Sequence, residues 1–342
     1  MRYAAALFAC LVVPTVLFAA KPLQVFFIDV EGGQSTLIVT PSHQSLLIDT
    51  GWRGYNGRDA DRIVAAAKKA GVKELDYVLI THFHRDHVGG VPQLADRIKI
   101  GTFVDHGPNM EDSRVTREDY ADYVKTLPKA LKGHIVAKVG DKIPLKGVDV
   151  QVVSSNGDTL KSPFEGSPGA GQPNPLCSMA KQHEVDTSEN ARSLGTVLTY
   201  GKFRMIDLGD LTWNKELQLV CPNNLLGTVD VYVVSHHGTN LSGSPQFVHA
   251  IHPRVAIMGN GARKGGNADT WQIVRSSPGL EDIWQLHFAV EGGKQNNAPD
   301  TFISNLYEKG DEGNGILLTA EPDGSFTVLN ARNKYRKSYP AK

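Results

Sequence analysis

The chain has 342 residues, 41% of them hydrophobic, which is enough for a substantial core and argues against a disordered chain. Lys plus Arg and Asp plus Glu both number 36, so the net charge is zero, and no long basic run occurs. This balance leaves no strong nucleic-acid footprint and counts against a dedicated DNA or RNA binder, although metals could still neutralise a phosphate in a nuclease.

Met1-Arg2-Tyr3 followed by an apolar run from Ala4 to Ala20 has the charge, core and small-residue end of a secretory signal. Residues 1–20 are therefore expected to be removed, leaving 21–342 as a single periplasmic or secreted domain with no membrane association. The run is short for a retained span and Pro14 interrupts it; the apolar stretch before Cys10 is too short for an acylation site. The mature chain keeps two cysteines, Cys177 and Cys221. In an exported protein they suggest one disulfide, worth roughly 4 kcal/mol in the chain-entropy model.

Leu23 to Asp29, Ser35 to Thr40 and Ser45 to Asp49 read as three strands of a meander, separated by Gly32-Gly33 and Pro41-Ser42. Arg58 to Ala70 carries Ile63, Val64, Ala67 and Ala70 at helical spacing, with Asp59 and Asp61 at its start and Gly71 at its end. The apolar run Tyr77 to Ile80 reads as a buried strand and leads into Thr81-His82-Phe83-His84-Arg85-Asp86-His87-Val88-Gly89-Gly90. Three histidines and an aspartate within six positions of a strand end are a ligand set for zinc, and also for iron or manganese. His82 and His84 share one side of an extended segment, while Asp86 and His87 lie a turn further on, so two divalent cations are expected. Packing alone does not call for this cluster.

Further on, Thr102 to Asp105 is a strand and Arg117 to Leu131 a helix; His106 at the strand end is a candidate site-lining residue. After a strand at Val148 to Val153, the segment from Ser154 to Glu189 is rich in Pro and Gly without periodicity. It reads as a substrate-defining flap tethered through Cys177. Strands at Leu194 to Tyr200 and Phe203 to Leu208 deliver Asp207 and Asp210, a helix runs from Trp213 to Val220, and Val229 to Val234 ends at Ser235-His236-His237-Gly238. Arg254 to Met258 leads into the basic glycine loop Asn260 to Gly266, and strands near Ile283, Thr301, Ile316 and Ser325 complete the sheets.

The His-x-His-x-Asp-His motif resembles the signature of the metallo-β-lactamase superfamily. More narrowly, the chain is similar to the branch containing the extracellular domain of competence (DNA-uptake) proteins and bacterial phosphorylcholine esterases, from about Leu23 to about Arg275. The resemblance implies a four-layer αβ/βα sandwich of mostly antiparallel mixed sheets and a metal-dependent hydrolase with two divalent metal ions, zinc first. It implies that His82 and His84 hold one cation, that Asp86, His87 and His236 hold the other, and that Asp210 bridges them. Asp86 would also orient the nucleophile, His237 would act behind the ligands or as a proton shuttle, with His236 and His237 open to exchange of these roles, and Asp49 would support a ligand by hydrogen bonding. Lys264 and Arg263 are placed to meet an anionic substrate.

One departure stands out. Many members carry a third histidine for the first metal before the bridging aspartate, and here Asn190 and Ser193 occupy that region, with His183 upstream. The first metal is left to take an amide oxygen, to keep an extra water or to bind weakly. The reaction expected is metal-assisted hydrolysis of a small-molecule phosphodiester or phosphoester. Cleavage of a lactam, lactone or carboxylic ester, or a metal-binding module without catalysis, are the other readings.

Overall fold

The computed structural model describes residues 22–310 and 313–342, so the stretch 1–20 expected to be a signal segment, with Cys10, lies outside the described residues. Two nine-stranded sheets form the body. In the first, neighbouring strands run Arg336–Tyr339, Phe326–Asn330, Ile316–Ala320, Leu23–Phe27, Thr36–Val39, Ser45–Ile48, Glu74–Leu79, Lys99–Asp105 and Gly133–Val136. In the second the path is Ile303–Asn305, Asp282–His287, Val255–Met258, Val231–Val233, Phe203–Asp207, Gly195–Tyr200, Asp149–Ser155 and Lys142–Ile143, with Asp158–Thr159 paired onto Asp149–Ser155.

Each sheet is antiparallel at one end and parallel at the other. Ser45–Ile48, Glu74–Leu79, Lys99–Asp105 and Gly133–Val136 are parallel neighbours. So are Phe203–Asp207, Val231–Val233, Val255–Met258, Asp282–His287 and Ile303–Asn305. Antiparallel pairs remain the majority, as expected of mixed sheets, beside a block of parallel strands in each. That block matters because crevices at the carboxyl ends of parallel strands are where open α/β sheets place their ligands.

Three buried apolar layers follow from the strand patterns. One lies between the sheets and includes Leu23, Val25, Leu79, Phe203, Val231 and Trp284. A second packs the first sheet against helices Arg58–Lys69, Val91–Ala95 and Arg114–Thr126, through Leu37, Val78, Ile63, Leu94 and Tyr123. The third packs the second sheet against helices Trp213–Val220, Pro245–Ile251 and Ala268–Arg275, through Ile206, Tyr232, Leu219, Phe247 and Trp271. Three apolar layers between four layers of secondary structure make the αβ/βα sandwich, and each fully buried aliphatic or phenyl side chain contributes on the order of 1.5–3 kcal/mol.

Local chemistry sets the helix limits. Arg58–Lys69 starts with Asp59 and Asp61 and ends on Lys68 and Lys69, charges that suit its dipole, and it buries Ala60, Ile63 and Ala67. The next long helix begins at Arg114 rather than Arg117, because Ser113 caps it by accepting from Thr116 N–H, and it ends at Thr126, short of the expected Leu131. Pro245–Ile251, not anticipated from periodicity, starts where the Ser244 side chain accepts from Phe247 N–H with Pro in the first turn.

The long segment after Ser155 departs from the flap expectation. Most of it lies on the helices of the second sheet. Pro173 bridges to Asn223, Asn174 Nδ2 donates to the carbonyls of Val220 and Gln246, and Cys177 is disulfide-bonded to Cys221. His183 stacks on Trp213 with ring centroids 4.4 Å apart. Only the end of the segment, at Glu189, reaches the histidine motif.

Candidate metal centre

Strand Glu74–Leu79 ends at the motif, and a four-residue helix, Arg85–Val88, turns Asp86 and His87 back toward His82. Gly90 is required here: a Cβ would stand 2.2 Å from the Thr50 carbonyl. From the facing sheet, Phe203–Asp207 delivers Asp210 through Gly209. That glycine has φ 56°, and a Cβ on it would lie 2.8 Å from Thr81 Cβ. Strand Val231–Val233 delivers His236 and His237 on a tight turn where both have left-handed φ, 55° and 56°. Asp86, His87, Asp210 and His237 come together with ligand atoms within 4.8 Å of one another, all buried.

The off-centre hydrogen bonds of five imidazoles fix which nitrogen faces inward. His87 Nδ1 donates to Asp49 Oδ2 at 2.7 Å, His84 Nε2 to Glu111 Oε2 at 2.8 Å and His237 Nδ1 to the Gly259 carbonyl at 3.2 Å. Thr81 Oγ1 gives its proton to Asp49 Oδ2, so it accepts from His82 Nδ1 at 3.1 Å. Ser242 Oγ gives its proton to the Leu211 carbonyl, so it accepts from His236 Nδ1 at 3.3 Å. The remaining nitrogen of each ring is then a lone pair aimed at the cluster.

Those lone pairs face each other in two pairs: His82 Nε2 and His84 Nδ1 are 3.1 Å apart, and His87 Nε2 and His237 Nε2 are 3.2 Å apart. Asp210 lies between them, with Oδ2 3.9 Å from His82 Nε2 and 3.3 Å from His87 Nε2, and Oδ1 3.5 Å from His237 Nε2. Asp86 Oδ2 is 3.3 Å from His87 Nε2 and 3.2 Å from His237 Nε2. Lone pairs at such separations repel unless a cation sits between them, so the residues fit two divalent ions, one per histidine pair.

The electrostatics agree. Burial opposes ionisation of Asp86, but His87 and Lys264 hold its carboxyl well below the usual range; burial likewise opposes ionisation of Asp210, and His236, His87 and His237 hold it well below. Burial also opposes charge on His87, yet Asp210, Asp86 and Asp49 push its imidazole well above the ordinary value, so that a proton holds the Nε2 position which a bound cation would take over. His82, with burial first and the neighbouring His87 and His84 next, is held well below and stays neutral. The three carboxylates around His87 favour positive charge at that half of the pocket.

The residues singled out from the sequence fall into place unevenly. His82, His84, Asp86, His87 and Asp210 converge, and Asp49 holds both His87 and Thr81. The order of the two later histidines is reversed from the expectation. His237, not His236, joins Asp86 and His87, because the left-handed turn swings the second ring inward; His236 Nε2 reaches only Asp210 Oδ2, at 3.3 Å. His106 does not line the centre; its Nε2 bonds the buried Glu189 carboxylate at 2.9 Å. Asn190 lies in the 3-10 turn Glu189–Arg192 with its Oδ1 buried and without a hydrogen-bond partner. Lys264 pairs with Asp86 Oδ2, and its Nζ lies 4.8 Å from the Trp52 ring centroid, whereas Arg263 turns away to Glu308.

Three contributors escaped sequence reasoning. Gln34 Nε2 lies 2.9 Å from both oxygens of Asp207, which also accepts from Gly209 N–H, and so steadies the loop that presents Asp210. Glu111 and Ser242 each fix a histidine tautomer. Nothing about Gly-Gly-Gln or Asn-Met-Glu distinguishes these residues in one dimension; a serine close after a histidine pair is the nearest thing to a signal.

Comparison with known proteins agrees with this architecture. Residues 28–169 match the metallo-beta-lactamase superfamily. Recombination protein 2 of Haemophilus influenzae is 25% identical over 245 residues, 71% of this chain and 25% of that protein. ComE operon protein 3 of Bacillus subtilis is 25% identical over 253 residues, 70% of this chain and 28% of that protein. The chain thus spans about a quarter of the length of these relatives. Among solved structures, the metallo-beta-lactamase fold protein YhfI from Bacillus subtilis superposes with a TM-score of 0.46 and 12% identity, covering 78% of this chain and 96% of that one.

Proposed function

We propose that this chain, which carries a metallo-β-lactamase superfamily domain, is an exported metal-dependent hydrolase acting on a small phosphodiester or phosphoester. The observation that carries the reading is the pair of facing lone-pair couples, His82 with His84 and His87 with His237, joined by Asp210. His82 and His84 would hold one divalent ion, Asp86, His87 and His237 the other, with Asp210 reaching both. Nitrogen and carboxylate donors suit zinc, with manganese or iron also accommodated. Bound there, such ions supply an acidified water and neutralise charge developing on the substrate.

The remaining work falls to the chain. Lys264, at the rim beside Asp86 and Trp52, offers an ammonium to a non-reacting substrate oxygen. His236, tied at Nδ1 to Ser242 and carrying a lone pair at Nε2 beside Asp210, is placed to take or return a proton at that nitrogen. Asp49 and Ser242 keep the rings in these tautomers. Zero net charge and the lack of a long basic run favour a small anionic substrate over a polynucleotide. Export is supported by the apolar N-terminal stretch and by the Cys177–Cys221 disulfide, since such bonds persist in oxidising compartments. Among the described residues no helix is long and apolar enough to cross a membrane.

The test is metal analysis of purified protein, then turnover of bis-p-nitrophenyl phosphate against a chromogenic lactam. Close to two ions per chain and phosphodiester turnover are expected. Preference for the lactam would replace the substrate class, and inertness on a broad ester panel at full loading would return the protein to a binding role.

A further inference from the structure

Each half of the metal centre has a histidine whose outer nitrogen meets a carboxylate. At His87 it is Asp49, fully buried and also held by Thr81 N–H and Oγ1. At His84 it is Glu111, outside the motif and on a different segment, with Oε2 2.8 Å from His84 Nε2. The two partners lie on opposite ring nitrogens, so His87 faces inward through Nε2 and His84 through Nδ1, the atom 3.1 Å from His82 Nε2.

Glu111 is itself held from several directions. Oε1 accepts from Thr116 Oγ1 at 3.0 Å, Oε2 accepts from Glu189 N–H at 2.9 Å, and the backbone N–H of Glu111 donates to Asn109 Oδ1 at 3.0 Å. Glu189 in turn accepts from Phe83 N–H and Met110 N–H. The carboxylate therefore sits where the motif, the loop before helix Arg114–Thr126 and the end of the long segment meet. The side chains of Glu111 and His84 are 19% and 24% exposed, so the pair lies at the rim and not in the core.

We propose that Glu111 is the positioning residue of the first metal. It holds the proton on His84 Nε2, leaves Nδ1 as the donor and raises that donor's basicity, at the half of the centre where the third histidine of many superfamily members is missing. An anion on the far side of a ligating imidazole raises ligand strength, and losing such a partner typically costs about 10- to 100-fold in metal affinity. Symmetry with Asp49 gives the proposal its selectivity: Glu111 acts on the half held by His82 and His84 and leaves the half held by Asp86, His87 and His237 alone. The inference rests on the dinuclear reading given above.

Zinc and cobalt(II) titrations of the full chain test it, using calorimetry for the two affinities and the cobalt visible spectrum as a readout of the donor set. In Glu111→Ala one equivalent should weaken about 10- to 100-fold while the other keeps its affinity, and the cobalt band of the weakened half should shift. Glu111→Gln, whose amide oxygen still accepts from His84 Nε2 without the charge, should recover part of the loss. Thr116→Ala, which removes the hydroxyl bonded to Glu111 Oε1 and to Ser113 Oγ but leaves the Glu111–His84 contact in place, should lower the melting temperature without a selective metal effect. Two unchanged affinities in Glu111→Ala overturn the proposal, and so does equal weakening of both equivalents, the mark of general loosening. If the unaltered protein binds no metal, the dinuclear reading itself fails, and the two failures are distinguishable.

Discussion

Four buried carboxyl groups in and beneath the centre divide into two regions with opposite electrostatics. At the cluster, Asp86 and Asp210 are held well below the usual carboxylate range; a layer deeper, burial pushes Asp207 up to about 6 and Glu216 up to about 7. Burial does not separate them, since Asp210 and Asp207 are 2% and 3% exposed on the same loop. Their partners do. Asp210 is ringed by four histidines, whereas Asp207 meets a neutral amide and a backbone N–H, and Glu216 accepts from the N–H groups of Gly243 and Ser244. Uncharged donors satisfy a buried carboxyl without keeping it ionised, while neighbouring positive charge keeps it an anion. The low region is where the fold prepares for cations; the high region is frame.

The strongest way to break this distinction is Asp210→Asn, which removes the charge between the two histidine pairs. Turnover at saturating metal should fall by several orders of magnitude with the melting temperature nearly kept. Near-normal turnover would move the bridging role elsewhere.

Metal content is the next test. His82→Ala with His84→Ala should lower bound metal by about one equivalent, and His237→Ala should weaken the other. His236→Ala should keep both ions and lose rate, because its ring reaches only Asp210. Loss of an equivalent in His236→Ala with full loading of His237→Ala would restore the order expected from sequence.

Glu216 sharpens the comparison through pH. Its carboxyl titrates near 4.5 in the unfolded chain and near 7 in the fold, so the folded state binds the extra proton between those values. Its contribution to stability is full below about pH 4.5 and declines as pH rises through 7, by about 3 kcal/mol. Denaturant melts in chelator at pH 5 and pH 8 should show this loss, and Glu216→Gln should flatten the difference; an equal slope in the variant assigns the pH dependence to other groups. The smallest expected effect is that of Asp207→Asn, about 1 kcal/mol of stability from a rearranged contact with Gln34 and Gly209 N–H, with turnover largely retained.

Much of this was legible along the chain because it is local. Alternating and continuous apolar runs marked most strands, Trp213–Val220 was delimited to the residue, and the packed His-x-His-x-Asp-His motif named four members of the centre. Glu111 was invisible because its partner is 27 positions away, and Gln34 because Asp207 is 173 away. The two cysteines announced their pairing by number, but not that the segment they tether would lie on the helices of the second sheet. The choice between His236 and His237 needed backbone dihedrals: adjacent rings cannot be ranked by spacing when the chain passes through two consecutive left-handed residues.

By itself, then, the sequence determined the layers, the donor chemistry and the strand ends from which the donors project, since each depends on patterns a few residues long. Only the tertiary structure decided which nitrogen of each ring turns inward, which of two neighbouring histidines joins the cluster and which buried acids keep their charge. Those outcomes depend on hydrogen-bond partners and fields contributed by segments far away in the chain, brought into contact only by the folding of each sheet and the closing of one on the other.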